Sequence, residues 1–168
     1  MPETEKDKLL FKLLPKDGAL CEKLEFELLE EGETLEDRRN EIKAGIEKVA
    51  TGHHYSAGWL MMDLRTLNAE IGRHVKRTQD KEGEIWLTLH MLNRAFDEQM
   101  PFLEKLTSRS QNLAEYVVKR AHDVLAKIQK LHPDLHIEFE PEVNRLLEKI
   151  YMSAAKKAAE DCGLPREF

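Results

Sequence analysis

The chain has 168 residues, a formal net charge of −6 and a pI near 5.7, with 41% hydrophobic and 35% charged residues. That length suits one domain able to bury a core without staples, and the negative field opposes nucleic acid and anionic membrane except at a local patch. Cys21 and Cys162 stand far apart, which excludes a disulfide framework and any Cys-x-x-Cys metal or redox motif.

The N-terminal stretch mixes acids and bases before Leu9, Leu10 and Phe11, unlike a secretory leader, so the expectation is a soluble, cytoplasmic protein that is not exported by that route. No window approaches the ~18 apolar residues a membrane-spanning helix needs. Glu5 to Leu14 reads as a short helix or ordered arm, stopped at Pro15, which has no N–H to donate. Asp17 can cap a second helix over 19–31, with Leu20, Leu24 and Leu28, or else Phe26 and Leu29, as its apolar side and Gly32 past its end. Thr34 and Asp37 resemble a capping box ahead of a third helix, 35–51, whose stripe is Ile42, Ile46 and Val49.

The strongest pattern lies in the middle. Leu60, Leu64, Leu67, Ile71 and Val75 recur in steps of three and four, as do Ile85, Leu89, Leu92, Phe96, Met100 and Leu103, so each set lines one face of an α-helix. The spacing predicts helices over 54–77 and 84–100, joined by the polar turn 79–83 into an antiparallel hairpin. Pro101 either kinks the second of these or begins a new segment. Ser110 offers a cap for a sixth helix carrying Leu113, Val117, Ala121, Val124, Ile128 and Leu131, which ends at His132-Pro133. The alternation over 135–140 has strand period but no partner strand, so it reads as an extended connector. Pro141 then fits the first turn of a last helix over 142–161, terminated by Gly163. The expected architecture is all-α: a bundle of five or six principal helices built around the long antiparallel hairpin. It forms a single domain over 1–168, with 1–16 as a candidate N-terminal arm.

Residues with chemical potential are few. Tyr55, Trp59 and Met62 begin a second apolar side on a helix that already has one, and Trp86 is similarly offset from its own stripe. Two-sided apolar character means deep burial or contact with two partners. Burial is the ordinary explanation, and partner binding the functional one. His54, His74 and His90 could hold a metal or haem, but paired Glu-x-x-His motifs are missing and Glu70 with His74 is a weak pair on one helix. Arg73, Lys76 and Arg77 form the strongest basic cluster, a candidate anion or nucleic-acid contact, although cations at a helix C-terminus also suit its dipole. Lys119-Arg120 and Lys156-Lys157 extend a basic face only if the fold gathers them. There is no Gly-rich phosphate loop, nucleophile elbow or Cys/His arrangement at a recognisable spacing.

The reading is a non-catalytic helical interaction or assembly subunit, binding a protein partner or itself, with no cofactor and no membrane. The rivals are a metal-, haem- or small-ligand-binding bundle acting as sensor or enzyme, and a small helical component of a nucleoprotein complex. Nucleic acid is the less favoured partner.

Overall fold

A computed structural model describes residues 2–30, 34–105, 107–108 and 110–168. Among these residues the chain folds into nine α-helices and no strand: α1 (Glu3–Leu13), α2 (Gly18–Leu28), α3 (Leu35–Ala50), α4 (Ala57–Thr78), α5 (Lys81–Glu98), α6 (Met100–Leu103), α7 (Gln111–Ile128), α8 (Pro133–Tyr151) and α9 (Lys156–Cys162). A 3-10 turn, Leu14–Lys16, separates α1 from α2. No helix is long and apolar enough to cross a membrane among the described residues. The Gly32 stop lies outside the described residues.

α5 is the axis of the bundle. It packs against α3, α4, α7 and α8, and its buried residues, among them Ile85, Leu87, Leu89, Met91, Leu92, Asn93 and Phe96, point in every direction around the helix. Trp86 completes its circumference against Phe139 of α8. α4, α7 and α8 bury single stripes, as helices at the surface of a bundle do: Leu60, Leu64, Leu67 and Ile71; Leu113, Val117, Ala121, Val124 and Ile128; Val143, Leu147 and Ile150. The two-sided apolar pattern thus has two outcomes, because α5 is buried all round whereas the second side of α4 faces water.

Several boundaries differ from expectation for local reasons. α4 starts at Ala57, where Ser56 Oγ accepts from Trp59 N–H at 3.4 Å, rather than at 54. α5 starts at Lys81 because Asp80 is its N-cap, accepting from Gly83 N–H at 2.9 Å, so the link from α4 shrinks to Gln79-Asp80. Gln79 makes that turn in the left-handed region, φ 59°, its N–H bonded to the Val75 carbonyl. Thr34 and Ser110 make no side-chain cap; Thr34 instead donates to Glu30 and Ser110 to the Lys105 carbonyl. Pro101 lies in the first turn of α6, after α5 has ended at Glu98.

The C-terminal third holds the largest correction. Residues 135–140 are not an extended connector but the first turns of α8, which runs from Pro133 through Pro141. Leu135 and Phe139, four apart, turn inward while Ile137 faces solvent. Pro141 is exposed, so the Ile137 carbonyl it leaves unpaired is solvated. The expected last helix is broken at 152–155. There the Ala154 N–H donates to the Leu103 carbonyl at 2.8 Å, tying the α8–α9 bend to the end of α6.

Candidate interaction surface

α1 buries none of its residues. Leu9, Leu10, Phe11 and Leu13 are all exposed, with Phe11 at 76%. At 100° per residue these side chains and Leu14 cover about half of the helix circumference. The helix packs mainly against the 3-10 turn that follows it. α2 is held to the body by Phe26, whose ring lies 5.8 Å from the Arg38 guanidinium carbon, and by Glu30, which Arg38 and Arg77 both engage. The hydrogen bonds from Arg38 and Thr34 hold the Glu30 carboxyl at about pKa 2, against an upward push from desolvation. Of the two apolar sides offered for α2, the inward one contains Phe26, and Leu20, Leu28 and Leu29 remain exposed. The sequence signal for α1 was present in the Leu-Leu-Phe run; what periodicity alone lacks is any statement of what covers it.

The four aromatic and Met candidates separate. Tyr55, Trp59 and Met62 are 84%, 57% and 58% exposed, which overturns burial as their explanation and groups them at the start of α4. Tyr55 stands edge-on to His53 with ring centroids 5.3 Å apart. Trp86 does not join them. Its ring is half-buried, with its centroid 4.8 Å from that of Phe139, in a seam where Asp97 of α5 meets Arg145 and Lys149 of α8.

The histidines do not converge. His54 Nε2 meets Asp63 at 3.1 Å, His74 Nε2 meets Asp80 at 3.0 Å and His90 Nε2 meets Glu47 at 3.0 Å, each at a different helix junction. Among the described residues no group of three His, Cys, Asp or Glu side chains is placed to hold a metal. Glu70 pairs with Arg73 rather than with His74.

The most elaborate polar cluster is structural. Asp80 accepts from Arg39 Nε and Nη2, both at 2.7 Å, from His74 and from Gly83 N–H, joining α3, α4 and α5. Burial pushes its carboxyl up, but these donors and the Arg39 charge outweigh it and hold the pKa at about 2. An uncompensated carboxylate could not remain there.

The basic residues are largely answered by acids. Arg77 reaches Glu30 at 3.0 Å and Glu25 at 3.7 Å, so it fastens α2 to α4, whereas Arg73 and Lys76 are exposed. Lys119 and Arg120 meet Arg65 around Tyr116, not the Arg73 cluster, and Arg120 pairs with Asp123 at 2.7 Å. Lys157 lies elsewhere, between α7 and α9. No protein-family model, curated protein or solved structure matches the chain.

Proposed function

We propose that this chain is a non-catalytic helical assembly subunit that associates with a second copy of itself through α1, with Tyr55, Trp59 and Met62 offering a further partner face. One observation carries the reading: α1 has a broad apolar arc and buries none of it. An eleven-residue helix is too short to be stable alone in water, where roughly 12–15 residues are marginal even for good formers, so its helicity depends on what it packs against. Within α1, Glu3, Glu5 and Asp7 balance Lys6, Lys8 and Lys12, so no net charge draws the helix to anionic lipid. A protein surface is the better match.

Light scattering over a concentration series tests this. The unaltered chain is expected to dimerise, and Leu9→Glu with Leu13→Glu to give monomers whose thermal midpoint falls only slightly, since neither side chain contributes to the core. A chain that is monomeric at every concentration overturns the reading.

A further inference from the structure

α7 and α9 leave an open groove of about 670 Å³ between them. Its floor is Ala114 and Val118 of α7 with Ala158 of α9 and Ala154 just before it, side chains short enough to admit the body of another helix. Its edges carry both signs of charge: Glu115 and Lys119 on one helix, Lys157 and Asp161 on the other. None of these four makes an ion pair among the described residues. Within the run of alanines and lysines at 154–159, Ala155 and Ala159 are buried in the core, whereas Ala154, Lys157 and Ala158 line the groove.

Resting on the self-association reading above, we infer that this groove is the receptor for α1 of a second copy, the two chains exchanging arms reciprocally. Both surfaces are apolar, and each is bordered by charges of both signs. α1 is a convex apolar arc without a cover, and the groove is a concave apolar floor without an occupant. The acids and lysines of α1 alternate along its first turns, and none is paired within its own chain among the described residues, so they can meet the mixed edges of the groove. Reciprocal exchange closes a two-fold pair and leaves no further arm to propagate growth.

Cys162 lies at the edge of the groove and is exposed, which makes it a native reporter of proximity. In a Cys21→Ser background, which keeps a donor for the Leu14 carbonyl, thiols are introduced singly as Asp7→Cys, Lys8→Cys and Lys12→Cys, and each variant is oxidised with copper phenanthroline. At least one is expected to give a covalent dimer whose disulfide joins α1 to Cys162 between chains, as read by peptide mass spectrometry of mixed isotope-labelled and unlabelled protein. Ala158→Arg, at a half-buried floor position, is expected to weaken dimerisation at least tenfold, with a melting curve that matches the parent's at concentrations where both are monomeric. A dimer in light scattering whose thiols link no better than in the Cys21→Ser parent, and which Ala158→Arg leaves intact, overturns the groove while leaving self-association standing. The same holds for a dimer abolished by Trp59→Ala instead. A link found only within one chain overturns the exchange. The absence of any dimer removes the self-association reading itself.

Discussion

The Asp80 carboxylate occupies the space that a side chain on Gly83 would need. A Cβ built on Gly83 overlaps Asp80 Oδ2 and comes within 2.8 Å of Arg39 Nε. Glycine at 83 therefore lets a buried carboxylate reach the first turn of α5 and receive its N–H. Gly83→Ala is expected to cost roughly 2–4 kcal/mol, because the clash falls on hydrogen-bonded atoms that cannot move without losing partners. Asp80→Asn, which removes the closer countercharge of Arg39 and leaves it only the exposed Glu36 at 3.5 Å, is expected to cost about 3 kcal/mol. Urea unfolding measures both, and a Gly83→Ala variant as stable as the parent would show that the cluster can be rearranged freely.

Acid stability follows from the same group. The folded pKa of Asp80, about 2, lies below its ordinary value of 3.8, so its contribution is complete above that ordinary value and is lost as pH falls from about 4 towards 2. The shift corresponds to about 2 kcal/mol. Stability measured across that window is expected to fall for the parent and to fall less steeply for Asp80→Asn. Parallel curves for the two proteins would contradict the assignment.

Pro141 interrupts the hydrogen-bond ladder of α8 on its solvent side. Alanine there restores a donor for the Ile137 carbonyl and removes the ring from the helix interior, where proline is about 3 kcal/mol less favourable than alanine in a free helix. Proline also restricts the unfolded chain, which offsets part of this, so the expected gain is smaller, about 1 kcal/mol, or a rise of roughly 2–4 °C in Tm. A lowered Tm for Pro141→Ala would mean that the proline ring itself contributes to stability.

The cluster of Arg73, Lys76 and Arg77 is expected to give no tight binding of single- or double-stranded oligonucleotides at physiological salt, since Arg77 is held by Glu25 and Glu30. Changing Arg77 to Ala is instead expected to loosen α2, seen as faster amide exchange over Leu24–Leu28. Salt-sensitive binding that disappears when the three residues become Ala would reassign the cluster to nucleic-acid contact.

The helical class was legible because Leu60 to Val75 and Ile85 to Leu103 repeat at a period only a helix can use. Residues 135–140 misled for a definite reason: Leu135 and Phe139 satisfy both an alternating pattern and a four-residue spacing, and Pro141 resembles a first-turn proline. Only packing against Trp86 and the core decides between them. Among the candidate site residues, periodicity could not tell Trp59 from Trp86, since each sits just off an apolar stripe. The difference lies in the neighbours, as α8 covers Trp86 while Trp59 remains exposed. The start of α5 could have been read from Asp80 preceding Gly83, a cap signal hidden by taking the whole polar stretch as turn.

Because α3, α4, α7 and α8 all lean on α5, none of them can detach without uncovering that helix, so the body should open as one cooperative unit. α1 takes no part in that unit. Its amides are expected to exchange with solvent hydrogens at a rate set by its own fraying in the monomer, and by complex lifetime once docked. With no buried side chain of its own, α1 is thus a segment whose protection reports directly on association.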